Sequence, residues 1–239
     1  MPEMANVGAI LLAAGASQRF GTESKLLADI GGEPLVRRVA RVLVRTGLKD
    51  LVVITGHEQR ICQQALEGQP VRYVNNTDWQ SGMGSSIATG VSALDGEVDG
   101  AFIVPGDMPF LTVALLQTMA AEFARAGQQT IVFPATPTGE QRNPVLWPRR
   151  FFPKLMFLSG AEGAKRLLRS VVSETISVTA DDPAVFADVD TSADLEAARA
   201  LLIHLSSAAA KAEAADEQGE NKSQFSAACC LMIAVRSAD

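Results

Sequence analysis

The sequence predicts an α/β fold whose centre is a Rossmann-like, doubly wound, mostly parallel β-sheet. Short apolar runs typical of buried strands alternate with segments in which apolar residues recur at helical spacing. Glycine-rich or polar turns follow several of these runs, and 47% of the 239 residues are apolar, which is ample for one large core. We therefore expect one domain over residues 1–205 that carries a small irregular substrate-binding insertion.

Strands and helices alternate regularly over the first half of the chain. The first strand is the apolar run from Val7, and the first helix extends from Pro34, a residue suited to a helix start, until Gly47. Further strands are predicted over 51–55, 71–75, 101–104 and 130–133, and further helices over 58–66, 85–94 and 113–126. This alternation favours parallel strands with helices on both faces of the sheet.

The second half begins with the irregular section. Its short apolar pieces are interrupted by Pro137, Gly139, Pro144, Pro148 and Pro153, which is typical of an insertion that shapes a second substrate site. The regular pattern then predicts a helix over 161–172, strands over 175–179 and 185–189, and a helix from Ser192.

Residues 206–239 are predicted to form a disordered C-terminal tail. Residues 206–224 are rich in Ala, Glu, Lys, Gln, Ser and Asn and have no apolar face. Residues 225–235 are apolar again but shorter than the roughly 20 residues that cross a bilayer, and no function is assigned to them.

Charge and cysteine content narrow the function classes. A net charge of -6 and a pI near 5.1 argue against nucleic acid or an anionic membrane surface as the partner. The three cysteines are odd in number and lack the spacing of metal ligands, which favours a reducing cytoplasm over a disulfide-bonded fold. Because the chain as a whole is acidic, cations that bind an anionic ligand must be concentrated at the binding site itself.

The most informative segment joins the first strand to Lys25. After Leu12 the chain continues Ala-Ala-Gly-Ala-Ser-Gln-Arg-Phe-Gly, and Lys25 follows four residues later. The small side chains leave backbone N–H groups open to anionic oxygen, while Arg19 and Lys25 add two shapes of cation that phosphate binds. The spacing is neither that of a P-loop nor that of a dinucleotide-binding loop. We predict a phosphate site of another type.

Two carboxylates are candidate metal ligands. Asp107 follows the strand over 101–104 and lies at the carboxyl edge of the sheet, where open α/β sheets bind ligands. Asp190 precedes the helix from Ser192 and could complete the site, whereas Asp188 is the weaker candidate. Magnesium is usually held by one or two carboxylates plus phosphate oxygens. A helix cap is the alternative role for Asp107 and Asp190.

A polar segment over 75–86 precedes the third predicted helix. It contains Trp79, interpreted as a packing residue, and it ends in groups that can donate hydrogen bonds at a helix start: Gly82, Gly84, Ser85 and Ser86.

The irregular section offers Arg142 and Asn143 as polar groups for a second substrate. They could hold a phosphate or a polar ring edge, and an exposed loop is the alternative. His57 and His204 are isolated, so neither is assigned to catalysis.

These motifs resemble those of known enzymes. The run over 12–21 together with Lys25 is similar to the signature of the nucleotidyltransferases, and Gly106-Asp107-Met108-Pro109 looks like their Gly-Asp-x-Pro element. The resemblance extends over about residues 7–203 and is closest to the molybdenum cofactor cytidylyltransferases. It implies a fold of the nucleotide-diphospho-sugar transferase type.

The resemblance also implies roles for individual residues. Arg19, Lys25 and Asp107 would be catalytic, and Asp107 and Asp190 would bind Mg²⁺. Arg142 and Asn143 would bind the acceptor. The nucleotide would be bound by Leu12, Ala13, Ala14, Gly15, Ser17, Gly82, Gly84, Ser85 and Ser86.

The reaction that the resemblance implies is transfer of CMP from CTP to the phosphate of a molybdopterin-type acceptor, with release of pyrophosphate. Ala14 favours CTP over GTP, because the guanylyl-transferring branch tends to carry Leu-Ala-Gly-Gly, and another nucleoside triphosphate remains an alternative. Met108 stands where the cytidylyl branch usually has Gln, which leaves the acceptor open. A molybdoenzyme or its chaperone is the candidate protein partner.

Two alternatives remain. A sugar-phosphate or other small-molecule nucleotidylyltransferase would share the loop and the carboxylate. An NAD(P)H-dependent reductase or a cofactor-binding chaperone on the same fold is the alternative of another class, although the sequence lacks the dinucleotide fingerprint.

Overall fold

A seven-stranded sheet organises the part of the chain that the computed structural model describes, which is residues 6–17, 20, 24–180 and 182–217. In chain order the strands are β1 (Val7–Ala13), β2 (Asp50–Thr55), β3 (Arg72–Asn75), β4 (Gly100–Pro105), β5 (Ile131–Ala135), β6 (Val145–Pro148) and β7 (Thr175–Thr179). Their spatial order is β3-β2-β1-β4-β6-β5-β7, and β6 is antiparallel to both of its neighbours. The predicted doubly wound, mostly parallel sheet is confirmed.

The helices are α1 (Leu35–Arg45), α2 (Gln59–Ala65), α3 (Met83–Ala93), α4 (Val113–Arg125), α5 (Phe152–Leu155), α6 (Lys165–Ser170) and α7 (Ser192–Glu217). They cover both faces of the sheet. Leu11, Val53 and Phe102 pack with α1 and α4 on one face. Their strand neighbours Ile10 and Val52 pack with α3 and α5 on the other. Because both faces are buried, the central strands are apolar throughout.

Strand register determines which loops meet at the carboxyl edge. Leu12 of β1 lies opposite both Ile54 of β2 and Pro105 of β4. The loops that follow β1 and β4 therefore begin side by side. Val145 of β6 lies opposite Ile103 of β4, so the residues just before the antiparallel β6 reach the same edge.

The structure differs from the predicted elements in the second half. The predicted strand over 185–189 is absent, because Asp182 and Pro183 start a short 3-10 helix, Pro183–Phe186, and Val189 packs with α7 instead. The predicted helix over 161–172 shortens to α6, with Gly160 and Gly163 at positive φ before it. The antiparallel β6 was missed because prolines bracket it.

The C-terminal helix α7 extends beyond the predicted domain end at 205. It continues to Glu217, so residues 206–217 differ from the disordered tail that composition predicts. The same composition explains the difference, since Ala, Glu and Lys are strong helix formers. Residues 218–239, which include the apolar run over 225–235, lie outside the described residues. Within the described chain, the helices are too short or too polar to cross a membrane.

Candidate active site

A cavity of about 770 Å³ opens at the carboxyl edge of β1 and β4. Its walls are the loop after β1, the loop after β4, the start of α3 and the segment just before α7. Residues from each of these four parts line it, among them Gly15, Asp107, Ser86 and Asp190. This is where the topology of an open α/β sheet predicts a ligand site.

The loop after β1 lines this cavity and has unpaired backbone donors. Among the described residues, the N–H groups of Gly15, Ala16 and Ser17 donate to no other protein group. A Cβ on Gly15 would meet nothing within 4 Å, so protein packing does not require glycine there. Ser17 has a positive φ of 51°, and its buried Oγ lacks a partner within the same part of the chain. Unpaired N–H groups of this kind suit an anion.

Lys25 lines the cavity and lies between two carboxylates. Its Nζ donates to Asp107 Oδ2 at 2.6 Å and to Asp190 Oδ1 at 2.7 Å, and its side chain is 16% exposed. Burial lowers the pKa of Lys25, but the charge and hydrogen bonds of Asp107, and then those of Asp190, raise it to a net value above 10.5. Lys25 is therefore firmly protonated. Arg19, the other predicted cation, lies outside the described residues.

Asp107 is held by the backbone around it. The N–H of the preceding Gly106 donates to Leu12 O at 3.1 Å, and a Cβ on Gly106 would lie 2.9 Å from that oxygen. Burial raises the pKa of Asp107, the charge and hydrogen bond of Lys25 lower it, and the nearby charge of Asp188 raises it again, so the net pKa is above its usual value.

Asp190 is not the cap of α7. That role belongs to Thr191, whose Oγ1 accepts from Asp194 N at 3.2 Å, while the Asp194 carboxylate accepts from Thr191 N at 2.8 Å. This reciprocal pair is a capping box. Val189 N also donates to Asp107 O at 3.0 Å, which ties the segment before α7 to the loop after β4. The Asp190 carboxylate thus reaches the cavity beside Asp107.

The two carboxylates fit a divalent cation. They already converge on a single positive charge, with donor distances of 2.6 and 2.7 Å. Across the described chain, His, Cys, Asp and Glu side chains form no cluster of three or more with metal-ligand geometry. The protein would thus supply two hard oxygen ligands and leave the remaining positions to phosphate and water, as is common for Mg²⁺.

Only two of the four residues predicted to donate hydrogen bonds at the start of α3 line the cavity. Gly82 and Ser86 line the cavity, whereas Gly84 N donates to Gly160 O at 2.9 Å. A Cβ on Gly84 would lie 2.5 Å from Ser159 C, so this glycine is required by packing. The Ser85 hydroxyl accepts from Asn76 Nδ2 at 2.8 Å and does not line the cavity.

The remaining predicted nucleotide-binding residues divide in the same way. Leu12, Ala14 and Gly15 line the cavity, but Ala13 is buried within β1 and does not. Met108 is only 3% exposed, belongs to the core and is not among the residues that line the cavity.

Arg142 and Asn143 are not among the residues that line the cavity. They lie just before β6, at the same edge of the sheet. The Arg142 Nη2 donates to Glu140 Oε2 at 2.8 Å, and within the described chain its buried Nε has no partner. Arg142 therefore has one buried donor without a partner in that part of the chain, at the carboxyl edge of the sheet.

Sequence reasoning missed part of the cavity wall. Trp79, interpreted as a packing residue, does pack, but it also lines the cavity. A Cβ on Gly56 would lie 2.7 Å from Trp79 Cβ, and the ring centroids of Trp79 and His57 are 5.2 Å apart. Gln80, Met83 and Ala161 also face the cavity. The amide-rich segment over 75–86 was the available signal, but which of its side chains face the ligand depends on the fold.

Comparison with known proteins identifies the family. The family model described as the MobA-like NTP transferase domain matches residues 9–177, which is most of the chain. Nicotine blue oxidoreductase from Paenarthrobacter nicotinovorans is 40% identical over 88 residues, covering 36% of this chain and 43% of that protein. The bifunctional protein GlmU of Kineococcus radiotolerans is 34% identical over 139 residues, covering 56% of this chain and 28% of that protein. The chain thus spans less than half the length of these relatives.

Solved structures share the fold. A homologue of Mycobacterium tuberculosis Rv0371c from Mycobacterium sp. strain JC1 superposes with a TM-score of 0.74 at 24% identity, covering 84% of this chain and 98% of that one. A CMP:2-keto-3-deoxy-manno-octonic acid synthetase complexed with CTP superposes with a TM-score of 0.65 at 16% identity, covering 84% and 99%. The predicted nucleotide-diphospho-sugar transferase type of fold is confirmed.

Proposed function

The chain belongs to the MobA-like NTP transferase family, and on that premise we propose that it transfers CMP from CTP to the terminal phosphate of a molybdopterin-type acceptor. An oxygen of the acceptor phosphate attacks the α-phosphorus of CTP. The bond from that phosphorus to the bridging oxygen of the β-phosphate breaks, and pyrophosphate leaves.

One observation carries the proposal. Two carboxylates and Lys25 share a cavity wall with a loop whose N–H groups at Gly15, Ala16 and Ser17 are unpaired within the described chain. Donors for phosphate oxygen and ligands for a divalent cation thus face the same space. Phosphoryl chemistry depends chiefly on such positioning and charge neutralisation.

The residues of this chain have distinct roles in the proposed reaction. The N–H groups of the loop after β1, with Ser17 Oγ and Arg19, hold the triphosphate oxygens, and Asp107 and Asp190 hold Mg²⁺. When bound, Mg²⁺ supplies positive charge to the phosphate oxygens. Lys25 then donates to the phosphate on which charge develops as pyrophosphate leaves. No protein nucleophile takes part.

The base preference rests on Ala14. This residue lines the cavity, and the resemblance associates alanine at this place with cytidylyl transfer. The fold neighbour complexed with CTP supports a cytosine nucleotide in a cavity of this fold. Ser86 and Gly82 at the start of α3 would contact the nucleoside.

The acceptor would approach from the side of β6. Arg142, whose Nε has no partner among the described residues, and Asn143 lie at that part of the edge and would hold the acceptor phosphate or a polar ring edge. A molybdoenzyme or its chaperone would then receive the product, and magnesium-dependent transfer in the cytoplasm is the setting we propose.

Label transfer tests the reaction. CTP labelled at the α-phosphate is incubated with the protein, Mg²⁺ and molybdopterin cofactor, and products are separated by chromatography. The proposal requires the label on the acceptor and unlabelled pyrophosphate in equal amount. Label remaining entirely in CTP would reject it.

A sugar-phosphate nucleotidylyltransferase is the second candidate. The 34% identity with GlmU of Kineococcus radiotolerans over 139 residues favours it. Replacing molybdopterin by a panel of sugar 1-phosphates in the same assay separates the two acceptors.

A redox role is the candidate from another class, and the 40% identity with nicotine blue oxidoreductase over 88 residues favours it. Tight binding of NADH or NADPH, together with no pyrophosphate release from any nucleoside triphosphate, would reject the transferase and favour that role.

A further inference from the structure

Arg38 is a buried cation beneath the loop that carries Asp107. It belongs to α1 and is only 9% exposed. Its Nε donates to Pro109 O at 2.8 Å. Pro109 is two residues after Asp107, so this hydrogen bond holds the far end of the same short loop.

The charge of Arg38 is only weakly compensated. Its Nη1 lies 3.4 Å from Glu33 Oε1, whereas Arg41 Nη2 lies 2.7 Å from the same oxygen. Burial lowers the pKa of Arg38, and Glu33 offsets part of that effect. A buried charge is costly unless its hydrogen bonds repay it, and the bond to Pro109 O is the well-formed one.

Backbone bonds hold the other side of the Asp107 loop. Gly106 N donates to Leu12 O at 3.1 Å, and Val189 N donates to Asp107 O at 3.0 Å. These two bonds attach the loop to β1 and to the segment before α7. Arg38 attaches it to α1.

We propose that Arg38 is a positioning residue that orients the Asp107 carboxylate for a divalent cation by hydrogen bonding to Pro109 O. The inference rests on the metal role of Asp107 in the proposed function. Arg38 itself does not touch the substrates. Loss of partners that orient metal ligands commonly costs about 10- to 100-fold in metal affinity or activity.

Three variants separate the hydrogen bond from the charge. Arg38→Gln places an amide nitrogen at the bond position of Nε and removes the charge. Arg38→Met places a methyl group there and removes both. Arg41→Met is the matched control, because Arg41 shares Glu33 with Arg38 but does not contact the loop in the described structure.

The measured quantity is Mn²⁺ affinity, determined by electron paramagnetic resonance. Thermal melting checks that each variant is folded. We expect Arg38→Met to weaken Mn²⁺ affinity about 10- to 100-fold, and Arg38→Gln and Arg41→Met to stay within about threefold of the wild type. Pyrophosphate release with CTP should show the same order in kcat, with KM for CTP unchanged.

The result that overturns the inference is Mn²⁺ affinity that is unchanged in folded Arg38→Met, or lowered equally in Arg38→Gln or Arg41→Met. If Arg38→Met does not fold, Arg38→Lys decides in its place, because it keeps a cation but has a methylene at the position of Nε. If Mn²⁺ affinity follows the expected order while no nucleoside triphosphate releases pyrophosphate, Arg38 keeps its role and the transferase proposal fails.

Discussion

Lys25 Nζ donates a 2.6 Å hydrogen bond to Asp107 Oδ2, so the cation predicted to hold phosphate neutralises the carboxylate predicted to hold metal. Asp190 shares the same ammonium at 2.7 Å. A divalent cation between the two carboxylates would compete with Lys25 for them. Metal binding should therefore release the ammonium towards the triphosphate.

Replacing Lys25 tests this competition. Lys25→Met leaves Asp107 and Asp190 without their shared cation, so we expect a lower Tm without metal and a larger Tm increase on adding Mg²⁺ than in the wild type. Turnover should fall by about 10² to 10³, because a charge contact to the transition state is lost. Thermal melts with and without Mg²⁺ provide the measurement. Lys49→Met, which removes an exposed cation paired with Glu97, is the control. Equal Mg²⁺ shifts in all three proteins would contradict the competition.

We expect the carboxylate of Asp107 to be essential for turnover. The nearby exposed carboxylate of Asp188 should be dispensable. Asp107→Asn preserves shape but removes a metal-ligand charge, and turnover should fall by about 10² to 10³ with the fold intact. Asp188→Asn should retain turnover within a few-fold, since Asp188 is exposed and does not line the cavity. Steady-state kinetics of both variants distinguish the roles. Comparable losses in the two would show that general negative charge, rather than the site at Asp107, matters.

Two glycines should respond to alanine in opposite ways. A Cβ on Gly15 meets open cavity, so Gly15→Ala should keep its stability and raise KM for the nucleotide by about tenfold, because a methyl group occupies ligand space. A Cβ on Gly84 would lie 2.5 Å from Ser159 C, so Gly84→Ala should lower the free energy of unfolding by about 1–3 kcal/mol. Urea denaturation and nucleotide titration of each variant measure the two effects. A destabilised Gly15→Ala with unchanged KM would be inconsistent with a ligand cradle.

The Asp50–Arg72 pair should make stability depend on pH far from the cavity. Burial raises the pKa of Asp50, but the hydrogen bonds from Arg72 and from Asp95 N outweigh it and lower the pKa below 3.8. Because the folded-state pKa is depressed, this stabilisation is present above about pH 4 and lost as pH falls through the folded pKa. Asp50→Asn should cost about 1–2 kcal/mol at pH 7 and progressively less below pH 4. Urea denaturation across this pH range tests it, and a cost independent of pH would exclude the ionic contribution.

The fold and much of the site could be predicted because local patterns determine them. Asp107 follows an apolar strand, and a parallel register brings the end of that strand beside the loop after Leu12. The ion pairs of Lys25 with Asp107 and Asp190 could not be predicted, because they depend on distances among three segments that are remote in sequence. Gly84 illustrates the same limit: its N–H suggested a ligand donor, but the fold brings Gly160 O to it.

Tertiary packing explains one of the remaining differences, and local helix propensity explains the other. Residues 185–189 have the composition of a strand, yet Val185 and Val189 bury their side chains in two separate clusters instead of pairing in the sheet. Residues 206–217 lack an apolar face but consist largely of helix-forming residues that extend α7.

Pyrophosphate release in the presence of Mg²⁺ and molybdopterin cofactor, measured with CTP, GTP, UTP and ATP in turn, tests the proposed transfer most directly. We expect release with CTP that requires the cofactor and Mg²⁺ and that falls by about 10² to 10³ in Asp107→Asn. Release from none of the four nucleotides, or undiminished release by Asp107→Asn, would contradict a cytidylyl transfer carried out at this cavity.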